Sequence, residues 1–121
     1  MIRHIVLLQV SGSIPPDQVK EVLFGVEAAA LATSGMVGFA GGEKTGGSGL
    51  SQGFTHGYTI DFYDDEARDR YLVALEGDGI GRRLSDIAVG GLGGLLVMNI
   101  DVSDIKTPED TGGKKLQARW V

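Results

Sequence analysis

The stretch Phe54-Thr55-His56-Gly57-Tyr58-Thr59-Ile60-Asp61-Phe62-Tyr63 alternates along its whole length, and that alternation decides the fold. Phe54, His56, Tyr58, Ile60 and Phe62 fall on one side of an extended chain. Thr55, Gly57, Thr59, Asp61 and Tyr63 fall on the other, which is the period of a strand with one face in a core. Asp64 follows as an N-cap for a helix that opens Asp65-Glu66-Ala67, carries Tyr71, Leu72 and Leu75, and stops near Gly77. A second helical piece over about 80–88 presents Ile80, Leu84 and Ile87 at helical spacing.

Moving toward the N-terminus, Met36 to Glu43 reads as a weaker strand, bulged and rich in glycine (Gly38, Gly41, Gly42). The loop Thr45-Gly46-Gly47-Ser48-Gly49 separates it from the central strand. Pro15-Pro16-Asp17 opens a helix over about 16–33, with Val19, Val22, Leu23, Val26, Ala30 and Leu31 on one stripe. Before it, Met1 to Val10 reads as a strand, with Ile2, His4, Val6, Leu8 and Val10 on one face and Arg3, Ile5, Leu7 and Gln9 on the other. Beyond the helices, Gly90-Gly91-Leu92-Gly93-Gly94 is a break, and Leu95 to Val102 is the last strand.

The order is therefore β-α-β-β-α-β, the α+β ferredoxin-like arrangement, with a four-stranded antiparallel sheet ordered 4-1-3-2. Helices cover one face of that sheet. The other keeps its aliphatic side chains, so the expected assembly is a homodimer whose two sheets meet in an α+β barrel. Residues 1–102 form the expected domain. Residues 103–121 form a tail, polar up to Lys115, whose Trp120 is expected to dock on the partner subunit.

Composition narrows the chemistry. The chain has 121 residues, enough for one domain, with 11 basic and 16 acidic residues and a formal charge of −5. Residues 1–60 hold 3 basic and 4 acidic side chains and residues 61–121 hold 8 and 12, so neither half is a basic surface for nucleic acid or anionic lipid. The absence of cysteine excludes disulfides, thiolate nucleophiles and cysteine-ligated metals. The apolar N-terminal run is too short to cross a bilayer and lacks a cleavage pattern, so a cytoplasmic protein without membrane attachment is expected.

On this pattern the sequence resembles the stress-responsive A/B barrel family. The likeness rests on the opening Met1-Ile2-Arg3-His4-Ile5-Val6-Leu7-Leu8 and on Gly49-Leu50-Ser51-Gln52-Gly53-Phe54-Thr55-His56-Gly57-Tyr58, followed by the acidic turn after Phe62 and by Tyr71. It covers roughly residues 1–102. It implies a homodimer, and a family that includes plant stress proteins as well as cyclases of the olivetolic acid type, which close a polyketide ring by an aldol step. The cyclase-like pattern implies that His4 and Tyr71 face the substrate. Its His-Pro-x-His motif, source of the base, is replaced here by Ala74-Leu75-Glu76-Gly77.

His4 and His56 are the only histidines, and both lie on the even-numbered faces of strands expected to be neighbours. With Tyr71 they are the candidate catalytic residues: an imidazole takes a proton α to a carbonyl while a tyrosine hydroxyl steadies the oxyanion. Tyr58, Phe54, Ile60 and Phe62 are the candidate ligand-binding residues, forming an apolar wall beside them. The plain alternative is that both imidazoles and both tyrosines are satisfied core groups. The acidic cluster Asp64, Asp65, Glu66 and Asp69 reads as capping and charge pairing, so no metal site is expected. No glycine cluster fits a phosphate loop, and no cofactor is implied.

Three functional classes stay open: a small-molecule-binding barrel, a cofactor-independent cyclase or isomerase, and a structural stress protein.

Overall fold

The computed structural model describes residues 1–47 and 49–109. The elements follow in the order β1 (Ile2–Leu8), α1 (Pro16–Leu31), β2 (Met36–Glu43), β3 (His56–Phe62), α2 (Asp65–Gly77), α3 (Ile80–Ile87) and β4 (Leu95–Asp101), with a short 3-10 turn over Gly91–Gly94. This is the expected ferredoxin-like α+β fold. The sheet is antiparallel throughout and ordered β2-β3-β1-β4. Trp120 and the tail beyond Glu109 lie outside the described residues, as does Ser48.

Local chemistry explains the boundaries. Pro16 starts α1, where its missing N–H costs no hydrogen bond, and Asp17 suits the positive end of the helix. The Asp64 side chain caps α2 by accepting from the Ala67 N–H at 2.9 Å. Gly79, at φ +71°, separates α2 from α3 in a backbone conformation other residues adopt at a cost. Two strands are shorter than the alternation suggests. Val10 leaves β1 to make an isolated bridge with Ala88. Phe54 precedes β3 because Gln52 and Gly53 both take positive φ, and its N–H closes a turn onto the Ser51 carbonyl at 2.9 Å.

The core lies between the even-numbered face of the two central strands and the helices. Val6 and Leu8 of β1 and Tyr58, Ile60 and Phe62 of β3 meet Val19, Val22 and Val26 of α1, Ala67 and Tyr71 of α2, and Ile80, Leu84 and Ile87 of α3. Each large aliphatic or aromatic side chain buried here contributes roughly 1.5–3 kcal/mol of transfer free energy. Gly35, at φ +88°, lets α2 approach the end of α1: a Cβ there would stand 2.7 Å from the Ala67 Cβ.

Among the described residues no helix covers the opposite face of the sheet. Ile5 and Leu7 of β1 pair with Met98 and Leu96 of β4, and Arg3 pairs with Ile100. Leu96, Met98 and Ile100 are exposed there. Among these apolar groups Arg3 forks onto Asp61 across the β1–β3 pair, Nε to Oδ1 at 2.7 Å and Nη2 to Oδ2 at 2.9 Å. Among the described residues, no helix is long and apolar enough to cross a membrane.

Candidate functional site

The strand register separates the two histidines. His4 pairs with Ile60, whereas His56 pairs with Leu8, four residues further along β1, so their backbone positions lie about 13 Å apart along the strand at 3.3 Å per residue. They share a face, as their parity predicts, but they belong to two different environments.

His4 is sealed in the core, 3% exposed. Its Nδ1 lies 2.9 Å from the Oδ1 of Asn99, its partner on β4. Its ring meets those of Tyr71 at 5.8 Å and Phe62 at 6.5 Å, both edge-on. Burial pulls the imidazole below its usual titration range; the Asn99 hydrogen bond opposes this, and the charge of Arg68 adds to it. Tyr71, carried inward by α2, is fully buried, and burial pushes its hydroxyl up to about 12 although the Tyr58 hydroxyl acts in the other direction. Among the described residues no atom meets the Tyr71 oxygen within hydrogen-bonding limits, although the Tyr58 hydroxyl is close enough to act on it. Tyr58 is also pushed up, by burial first and by Tyr71 second.

His56 instead lines an open cleft of about 580 Å³ between α1 and the β2–β3 pair and, with Glu43, also borders a second hollow. Apolar side chains line most of it, notably Val19, Leu23 and Phe24 of α1 with Phe39 and Tyr58 of the sheet. Phe39 and Tyr58 stack, centroids 5.9 Å apart and planes 20° from parallel. Gly41, opposite Tyr58, leaves that ring room: a Cβ would come within 2.8 Å of the Tyr58 Cβ. At the polar end, the Thr55 hydroxyl meets His56 Nδ1 at 2.8 Å, and His56 Nε2 lies 3.7 Å from Glu43 Oε1.

The expected grouping is thus divided. His56 and Tyr58 line the cleft; His4 and Tyr71 stand together behind it in the core. The cleft is lined by His56 and not by His4. Ile60 and Phe62 are fully buried core residues that the cleft does not reach. Phe54, displaced by the Gln52-Gly53 turn, faces the second hollow, of about 610 Å³, with Leu7 and Leu96 on the helix-free side. Three polar residues enter that composition and spacing did not single out. Asn99 was visible as a lone amide in the apolar run Leu95 to Val102, whereas Thr55 and Glu43 acquire a role only once the β2–β3 register is known. No group of three or more His, Asp or Glu able to hold a metal ion occurs among the described residues.

The profile of the Stress responsive A/B Barrel Domain family matches residues 2–88. No curated protein matches the sequence. Among solved structures, a dimeric ferredoxin-like protein of unknown function from Jannaschia sp. CCS1 is similar at 25% identity, with a TM-score of 0.75 over 84% of this chain and 98% of that one. Hydroxynitrile lyase from Passiflora edulis superposes with a TM-score of 0.72 at 15% identity, over 88% and 96% of the two chains. The cofactor-independent oxygenase SnoaB from Streptomyces nogalater does so with a TM-score of 0.65 at 12% identity, over 86% and 94%. At such low identity the last two share the fold alone.

Proposed function

This chain belongs to the stress-responsive A/B barrel domain family, and on that premise we propose that it is a homodimeric barrel protein that binds a small apolar or aromatic molecule between α1 and the β2–β3 pair. The observation that carries the reading is the cleft itself: about 580 Å³, largely apolar, with its few polar groups at defined points, the usual build of a small-molecule site. The homodimer is supported by the aliphatic side chains on the helix-free face and by the dimeric description of the Jannaschia protein. Residues 1–102 are the working unit in this reading.

The test is saturable binding of a neutral hydrophobic dye such as Nile red, followed by fluorescence and by the rise in Tm that ligand binding to the folded state produces. Phe24 is 70% exposed, so Phe24→Asp leaves the core intact while charging the cleft wall. Binding is expected to weaken at least tenfold in that variant and in Leu23→Asn. Unchanged binding in both would move the site elsewhere.

A second reading is a cofactor-independent cyclase or isomerase, favoured by the oriented imidazole of His56. A histidine held at Nδ1 and facing a carboxylate at Nε2 is equipped to move a proton to or from a bound carbonyl compound. The lyase and oxygenase of like fold make such chemistry reasonable to assay. Turnover that survives His56→Ala would remove this reading.

A further inference from the structure

We infer that the cleft selects a flat, otherwise apolar molecule that carries a neutral hydroxyl group, gripped between His56 and Glu43. The inference rests on the cleft-binding reading above and adds the chemical class of the ligand.

The hydroxyl follows from the polar end of the cleft. Nε2 and Oε1 stand 3.7 Å apart, too far for a direct hydrogen bond, and Glu43 is 77% exposed and so free to adjust. The Thr55 oxygen already accepts from the Val10 N–H at 3.0 Å. Among the described residues its hydroxyl has two acceptors in reach, Leu8 O at 3.2 Å and His56 Nδ1 at 2.8 Å, the second being the shorter. Glu43 Oε1 only accepts and would repel a bare Nε2, so the imidazole proton sits on Nε2, facing the carboxylate, and the Thr55 hydroxyl donates to Nδ1. A group seated between them must accept from Nε2–H and donate to Oε1. A hydroxyl does both; an ether or ketone only accepts, and an ammonium only donates.

Neutrality and flatness follow from the remaining walls. Lys20 and Glu27, both on α1, carry opposite charges and leave that wall without net charge. The near-parallel rings of Phe39 and Tyr58 present a planar apolar surface, and Gly41 adds no side chain to interrupt it.

Isothermal titration of the full chain with 2-naphthol and with 2-methoxynaphthalene, which keeps the ring and oxygen but lacks the donor, tests this. The expected result is a preference of about tenfold or more for 2-naphthol, the ratio that one hydrogen bond to a charged group supplies. Glu43→Ala and His56→Leu should each bring the two affinities within about threefold. Glu43→Ala alters an exposed side chain and keeps the fold, so it decides the matter if His56→Leu is unstable. Equal binding of the two compounds to the unaltered protein would overturn the hydroxyl inference and leave the cleft reading standing. A preference that persists in Glu43→Ala would also overturn it. Failure of both compounds to bind would take down the cleft reading together with the inference.

Discussion

His4 on β1 and Asn99 on β4 face each other in register, imidazole Nδ1 to amide Oδ1 at 2.9 Å. An amide oxygen only accepts, so Nδ1 donates, and the neutral ring leaves Nε2 bare. This polar pair ties an edge strand to the sheet. A slip of β4 by one residue would set Met98 or Ile100 against the imidazole and turn Asn99 to the opposite face.

Asn99→Leu should therefore destabilise the protein by about 1–3 kcal/mol, the cost of leaving a buried donor unsatisfied. Urea unfolding measures it. Combined with His4→Leu, the loss should be smaller than the sum of the two single changes, because the second substitution removes the donor that the first has stranded.

The pH dependence of stability carries the signature of His4. Its folded-state value lies below the ordinary 6.5, chiefly through burial, so folding favours the neutral ring. That contribution is fully present above about pH 6.5, the unfolded value, and is lost as pH falls from there through the folded value. Between pH 7 and 5 the unaltered protein should lose stability relative to His4→Leu, with a slope no steeper than about 1.4 kcal/mol per pH unit. Parallel curves for the two proteins would show that His4 titrates alike in both states.

Tyr71→Phe removes a buried hydroxyl for which no partner within hydrogen-bonding limits occurs among the described residues. Stability should stay the same or rise by about 1 kcal/mol, since the desolvation of the oxygen is recovered and no bond is lost. A loss of stability on thermal or chemical unfolding would show that the hydroxyl is partnered in solution.

Met98 stands in the middle of the helix-free face, half exposed. Met98→Lys would bury a charge against the apolar surface of a second copy, at a cost of several kcal/mol when it has no partner. Sedimentation at tens of micromolar should then show a dimer for the unaltered chain and a monomer for the variant. A monomer in both would remove the barrel assembly.

Most of the architecture was legible in the sequence because each element announces itself locally. The alternation of Phe54 to Tyr63 placed β3, and the spacing of Ile80, Leu84 and Ile87 placed α3. The errors fall where a neighbour overrides a local pattern. Val10 keeps the alternation yet leaves β1 for Ala88, and Phe54 keeps it yet is turned away by two left-handed residues. For the site, parity correctly put His4 and His56 on one face, because a strand's period is fixed at two. Position along the strand is a different quantity. It depends on register, which β1 and β3 acquire only when paired, and it decides that Tyr58 borders the cleft while Ile60 and Phe62 do not.

The stacking of Phe39 on Tyr58 has a practical consequence. Two aromatic chromophores held 5.9 Å apart in a chiral wall generate a near-ultraviolet circular dichroism band of their own. Any occupant that slides against them perturbs that band, which gives the cleft an intrinsic, label-free optical reporter.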